Sequence, residues 1–350
     1  MTVVHQVLSG AGPVDAVTAQ ALAWRSRFSA WGWGGTDVAV HIDPRSNGAI
    51  APLGALEAGA RDVLLIHYSA YAPRLRALLD LPSRKIVLSH NVTPARWLWD
   101  HEPQIAIQCA LGRRQLPEFA ARADAVAGVS AYNAAELGSD VVVPILFDPA
   151  SLPPAAPPPR VGPPTLLFVG RLAPHKRQDE LIRLVALLRR HRLPDARLVL
   201  VGEPLNERYG AALRELADAL APGAVTFERS LSREELAARY RAAHAFVSLS
   251  EHEGFCIPLL EAFHFGVPVV ARPSGAVPEV AGDAALLSED RDLAVLAELV
   301  ALAVEDDELA QALRARGRAR LAAYAPEATE AAMRRLIESC RGSRMSISLS

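Results

Sequence analysis

The residues best suited to chemistry fall in two short segments of the second half of the chain. In EHEGFCIPLLE (251–261), two carboxylates, Glu253 and Glu261, stand on either side of a glycine and a proline. The segment follows the apolar run Ala245–Ser250 and leads into a helix that Pro258 opens, since proline suits the first helical position, where its missing N–H costs nothing. That makes Ile257 the N-cap. Isoleucine offers no oxygen to the orphan amides, so the helix terminus stays open to an anion such as a phosphate. Gly254 lets a ligand approach the backbone closely, and the glutamates can accept several hydroxyl hydrogen bonds each. A nucleotide sugar meets both demands, with its diphosphate and its sugar hydroxyls. A single glutamate near a helix start needs no ligand, because it complements the helix dipole. The whole constellation points to one.

The second segment, FVGRLAPHKRQDE (168–180), places Arg171 at the end of a strand and Lys176 at the beginning of the next helix. A cation at a helix N-terminus opposes the macrodipole, so an anion should compensate it. The chain uses 37 basic residues, of which only Lys85 and Lys176 are lysine, leaving 37 − 2 = 35 arginines. A lysine here suits a need for a compact point charge, although drift gives the same result. Together Arg171 and Lys176 can neutralise a diphosphate and stabilise it as it departs.

These segments need a scaffold, and the rest of the chain supplies its pattern. Short β-branched runs alternate with helical stretches such as Val14–Ala30 and Ile105–Ala121, as in a parallel sheet wrapped by helices. The first half offers strands at Thr2–Leu8, Asp37–Asp43, Val63–His67, Lys85–His90, Ala125–Ser130 and Val141–Leu146. The second offers Thr165–Gly170, Arg197–Gly202, Ala224–Phe227, Ala245–Ser250, Pro268–Ala271 and Ala284–Leu287. Between them PASLPPAAPPPRVGPP (149–164) is a stiff interdomain linker, because proline favours extended backbone. The expected architecture is α/β: two doubly wound domains, 1–148 and 165–325, facing a central cleft. A helix, 326–340, packs back on the first domain, and the tail 341–350 lies outside both. Ligands of such sheets sit beyond the carboxyl ends of the strands.

At 350 residues, 51% hydrophobic and 22% charged, the chain is folded and too long for a single small binding module. Balanced charge, 37 basic against 39 acidic residues, speaks against nucleic acid as a partner. Three dispersed cysteines, Cys109, Cys256 and Cys340, suit a reducing compartment, so a cytoplasmic protein is expected. The start reads as a strand rather than a signal peptide, and the longest apolar stretch, Leu293 to Val304, is too short to span a bilayer.

The stretches FVGRLAPHKRQDELI and SEHEGFCIPLLEAFHFGVPVVARPSGAVPEVAGDAALL closely resemble the donor-binding half of family 4 glycosyltransferases, retaining enzymes of the GT-B fold, whose two domains are Rossmann-like. Glu253 and Glu261 match that family's paired glutamates, and Arg171 and Lys176 match its basic pair. The resemblance implies that Arg171 and Lys176 hold the diphosphate and that Glu253 binds the donor sugar, beside the turn formed by Gly254, Phe255, Cys256 and Ile257. It gives Glu261 the ribose hydroxyls and the ERSL loop (228–231), with Arg229, the nucleobase, mostly through backbone. In the first half, VLSHNVTP (87–94) resembles the HN-[IV]-TP segment of a bacterial subgroup, and AGVSAYN (127–133) its following strand-to-helix turn. By that resemblance His90 contacts the reacting sugar through side chain or backbone; the alternative is a histidine merely hydrogen-bonded at a strand end.

Other candidates are weaker. LSGAGPVD (8–15) begins like a dinucleotide fingerprint but lacks its third glycine, which disfavours a nicotinamide site. In glycosyltransferases of this fold the equivalent loop borders the cleft, which makes Gly12 and Asp15 candidate contacts to phosphate or acceptor; a structural turn is the alternative. Trp97 and Trp99 are candidate acceptor contacts, whereas Trp31 and Trp33 read as anchors. Asp290 and Asp292 have the spacing of a metal-binding DxD but open a helix, where acids favour the dipole.

The expected reaction moves a sugar from a UDP- or GDP-sugar to an unknown acceptor hydroxyl, with retention, with no metal and with no cofactor, the nucleotide sugar being a substrate. A lipid-linked acceptor would add peripheral membrane contact. The competing readings are a nucleotide-sugar epimerase of the same fold and a non-catalytic nucleotide-sugar-binding protein.

Overall fold

The computed structural model describes residues 1–13, 15–46, 48–155 and 162–342. The middle of the proline-rich segment, the end of the tail and Val14 in the first loop therefore lie outside the described residues. The chain divides into two units. The first comprises residues 1–99, 103–146 and 326 onward; the second comprises 100–102 and 147–325.

The first unit runs β1 (Val4–Ala11), α1 (Ala16–Ala30), β2 (Asp37–Ile42), β3 (Ala51–Pro52), β4 (Val63–Tyr68), β5 (Arg84–Ser89), α2 (Pro103–Arg122), β6 (Ala125–Gly128) and α3 (Ala131–Ala135). The second runs β7 (Thr165–Val169), α4 (Gln178–His191), β8 (Arg197–Val201), α5 (Glu207–Leu220), β9 (Val225–Glu228), α6 (Arg233–Ala242), β10 (Ala245–Ser248), α7 (Ile257–His264), β11 (Val269–Ala271), α8 (Val277–Ala281), β12 (Leu286–Leu287), α9 (Leu293–Glu305) and α10 (Asp307–Leu321). The last helix, α11 (Pro326–Gly342), belongs to the first unit.

Each unit holds one six-stranded parallel sheet, in the order β3-β2-β1-β4-β5-β6 and β12-β11-β10-β7-β8-β9. Numbered within its own unit, the second order is the first read from the other edge, so both are doubly wound Rossmann-like sheets. The order reverses beside β1 and β4 in one and beside β7 and β10 in the other. Central strands are covered on both faces, as their composition requires: all six residues of VLLIHY in β4 are buried. In α4, Leu181, Ile182, Leu184, Val185 and Leu188 form the buried stripe. Acids stand in its first turn and Arg189, Arg190 and His191 in its last, matching the helix dipole.

Most expected strands form within a few residues of their limits, with two differences. Val141–Leu146 is not a strand; it contributes only a bridge from Val142 to Gly128, then Leu146 is tied to Gln20 of α1 through both its N–H and its carbonyl. The short edge strand β3 carries no β-branched run to announce it. The aromatic patch near Trp31 is an anchor: Trp24, Phe28, Trp31 and Trp33 pack together, and the Arg334 guanidinium of α11 lies 4.4 Å from the Trp31 ring. Among the described residues no helix is long and apolar enough to cross a membrane.

Candidate functional site

In the second unit, the loops after β7 and β10 lie at the switch point of the sheet. They are joined by a backbone hydrogen bond from Glu251 N–H to the His175 carbonyl. Lys176 is not at the start of α4, as the sequence suggested. It ends a short 3-10 turn, and Arg177, in the left-handed conformation, caps the helix instead. The anion opposite Lys176 is Glu253: its Oε2 accepts from Lys176 Nζ at 2.6 Å, in a pair of low exposure. Arg171 is exposed, and among the described residues its guanidinium has no partner.

The N-cap of α7 is Cys256 rather than Ile257, so Ile257 and Pro258 form the first helical positions. Cys256 adopts φ 74°, ψ 64°, a left-handed geometry that disfavours any side chain, and its side chain does not cap the helix. The consequence drawn for Ile257 still follows. Among the described residues the Phe255, Cys256 and Ile257 amides meet no hydrogen-bond acceptor, and only Gly254 separates them from the lysine-paired glutamate. The Phe255 ring is held edge-on against Tyr324. Burial and the neighbouring Glu253 push the Cys256 thiol well above its usual range, so it stays protonated and inert.

Glu261 sits one turn further on. Its Oε2 accepts from the Tyr240 hydroxyl at 2.6 Å. Burial raises its pKa, and the Tyr240 hydrogen bond partly offsets that rise by favouring the ionised form. Beside Lys176, burial and then the charge of Lys176 push His175 down to about 2, so this ring is neutral.

Two glycines let the loops close up. Gly275, at φ 56°, has the Glu253 carbonyl where a Cβ would stand, 2.1 Å away, and the next residue's N–H donates to that carbonyl. Gly202 packs the same way on the Gly170 carbonyl, one residue before Arg171. Behind them Arg272 is buried, donating to Glu180 at 2.8 Å and to the Leu249 carbonyl. It also lies near Glu251, which Arg291 pairs from outside. Glu251, two residues before the paired glutamates begin, is thus a brace between Arg272 and Arg291. Arg229 is exposed and occupied by Glu207 at 3.1 Å. Asp292 caps α9, and Asp290 accepts from the Asp292 N–H.

In the first unit His90 follows β5, partly buried, with its Nε2 2.8 Å from Nδ1 of His67. His67 Nε2 in turn meets Gln6 Oε1 at 3.0 Å. Asp15 is the N-cap of α1, accepting from both the N–H and the hydroxyl of Thr18, while Gly12 N–H donates to that hydroxyl. These bonds brace the loop from within and fix the place of Gly12 and Asp15 at the end of β1. Trp97 lies in a short turn under Arg96, and its indole N–H is buried, with no partner among the described residues.

Sequence reasoning missed His67, Gln6, Tyr240 and Gly275. Two carried a signal: His67 ends a strand whose neighbours end in candidate residues, and Gln6 is an amide amid apolar strand residues. Tyr240 and Gly275 meet the site only through folding.

Residues 154–320, essentially the second unit, match the family model described as glycosyl transferases group 1. The second unit is therefore similar to a domain of that family, and the two-unit fold is GT-B. Among curated relatives, the chain is 34% identical over 165 residues to a GDP-mannose-dependent alpha-(1-6)-phosphatidylinositol monomannoside mannosyltransferase of Mycobacterium tuberculosis, a match covering 44% of this chain and 42% of that one. The chain spans less than half the length of the first curated relatives it matches. Among solved structures, sucrose-phosphate synthase from Thermosynechococcus elongatus superposes with a TM-score of 0.76 at 19% identity, covering 98% of this chain and all (100%) of that one. Anabaena HepE in complex with UDP-glucose gives 0.73 at 16% identity, covering 96% and 99%. At such identity the likeness is one of fold.

Proposed function

We propose that the protein is a retaining glycosyltransferase of family 4 that moves a sugar from a nucleoside diphosphate sugar to an acceptor hydroxyl. The observation that carries this reading is the Lys176–Glu253 pair, followed after Gly254 by three amides at the start of α7 that meet no acceptor among the described residues. A diphosphate placed there meets Lys176, the free Arg171 guanidinium and the amides together, which neutralises the leaving group without calling on a metal. Lys176 has three donors, so it can keep Glu253 in place while it takes a phosphate oxygen. Glu253 retains one oxygen for sugar hydroxyls, and Glu261, with Oε2 held by Tyr240, retains one for the ribose. Arg229 then borders the base, by exchange from its surface partner Glu207.

The first unit receives the acceptor side, with His90 meeting the reacting sugar. The mycobacterial relative is named for a phosphatidylinositol mannoside, which supports a lipid-linked acceptor and peripheral membrane contact for this chain, on the cytoplasmic side where nucleotide sugars are made. GDP-mannose in that name and UDP-glucose in the HepE complex leave both bases as candidates.

Incubating the full chain with radiolabelled UDP- and GDP-sugars, with and without lipid and polyol acceptors, tests the reading. Label transferred to an acceptor with the anomeric configuration kept is the expected result. An altered sugar still attached to its nucleotide would reveal an epimerase, and binding without turnover a non-catalytic protein.

A further inference from the structure

Gln6 lies in the middle of β1 with no solvent exposure. Its Nε2 donates to the Ala21 carbonyl at 2.7 Å and to Asp37 Oδ1 at 2.9 Å. Both partners only accept, and the Asp37 carboxylate is clamped by Arg25 through Nε and Nη2. The amide therefore has one possible orientation, since turning it over would set its oxygen against two acceptors. Gln6 Oε1 must face His67 Nε2, so that nitrogen carries a proton.

His67 is fully buried, and burial, with His90 beside it, holds its pKa well below the usual histidine range. It is neutral, so its other nitrogen, Nδ1, is a lone pair. His90 Nε2, 2.8 Å away, must then be the donor. A neutral imidazole has one N–H, which leaves His90 Nδ1 as a lone pair, and among the described residues it has no hydrogen-bond partner.

We propose that Gln6 and His67 are positioning residues that lock His90 as the Nε2–H tautomer, so that its Nδ1 can only accept a hydrogen bond from a substrate hydroxyl. This rests on the reading above, in which His90 meets a sugar. The polarity runs one way, from the Arg25–Asp37 pair through an amide and two rings to one open acceptor atom. Burial pushes His90 down to about 3, so the ring stays uncharged near neutrality. A substrate lacking the matching hydroxyl leaves Nδ1 unpaired and is rejected on that account.

The test is a long-range proton–nitrogen correlation spectrum of the full chain labelled with 15N-histidine, with His90 assigned by loss of its signals in His90→Gln. The expected result is a protonated Nε2 and an unprotonated Nδ1 for His90. A protonated Nδ1 overturns the inference. In Gln6→Met, His67 is freed to exchange tautomers, and His90 should show both forms. Sugar transfer should fall by about ten- to a hundredfold, the effect of losing an imidazole's outer partner at metal sites. An unchanged His90 spectrum in that variant overturns the role of Gln6. The expected tautomer in a chain that transfers no sugar supports the lock and overturns the functional reading instead.

Discussion

The two units share one strand order and differ in how they present charge beyond it. In the second, the loops at the switch point hold ions: Lys176 against Glu253, Arg272 against Glu180, and Arg171, unpaired among the described residues. In the first, the groups that converge on His90 are neutral, and the ionic pair Arg25–Asp37 stands two partners behind it. On the proposed function, the same topology serves two tasks. An ionic site suits a group that leaves as a diphosphate. An uncharged, oriented site suits a hydroxyl, where hydrogen-bond direction matters more than field strength.

The five tryptophans all lie in the first unit, so their fluorescence reports that unit while circular dichroism reports both. The largest expected effect uses this contrast. Arg272→Met removes the buried partner that Glu180 and Glu251 share, leaving them to Arg177 and Arg291 alone, and should cost about 3 kcal/mol. In urea, dichroism should show the second unit melting early, with the tryptophan transition held. A common shift of both signals would show that the units do not answer separately.

Lys176→Met comes next. It should lower kcat/KM by about 10²–10³, the usual cost of removing one donor to a developing anion. It also leaves Glu253 unpaired, so some stability goes too. Adding Glu253→Gln should restore the melt without restoring turnover, which separates the ion pair's structural part from its chemical one.

Acid should act first on the other side of the comparison. His67 and His90 are held neutral by burial, whereas the unfolded chain binds protons on both. Their stabilisation is complete above about pH 6.5 and is lost as pH falls below it, at about 1.4 kcal/mol per pH unit for each histidine. His175 adds a similar slope in the second unit. With two such histidines against one, tryptophan fluorescence should register the acid transition before the signals of the second unit do.

The smallest effect runs opposite in sign. Because burial raises Glu261, its ionised form opposes folding: the group favours the fold at low pH, and that gain is lost as pH rises through its folded pKa. Glu261→Gln should stabilise the protein by about 1 kcal/mol at pH 7, with little gain at pH 4, while weakening nucleoside diphosphate binding. A variant neither more stable nor weaker in binding would remove Glu261 from the site.

How much of this was legible before folding divides along the same line. The ionic site is local. Arg171 and Lys176 share one loop, and Glu253, Gly254 and Phe255 another, so spacing and residue type expose them. What spacing misplaced was the cap: Pro258 at the second helical position rather than the first moves it from Ile257 to Cys256, and a left-handed non-glycine residue leaves no trace in a sequence pattern. The pattern likewise sets Lys176 at the beginning of the helix, because the left-handed Arg177 that delays the helix looks like an ordinary helix former. The neutral relay is the reverse case. His90 was visible at a strand end, but Gln6, Asp37 and His67 come from three different strands and meet only once register is fixed. An acid after a Gly-rich turn and an acid capping a helix look identical in sequence, so that Asp15 caps α1 emerges only when Thr18 is seen beneath it.

The central claim is that a diphosphate settles where Lys176, Arg171 and the amides at 255–257 converge. A crystal structure of the full chain soaked with UDP or GDP tests it most directly. The account predicts phosphate oxygens within hydrogen-bond distance of Lys176 Nζ and of at least one of those amides. A nucleotide bound elsewhere, with the Lys176–Glu253 pair and the α7 terminus untouched, would contradict it.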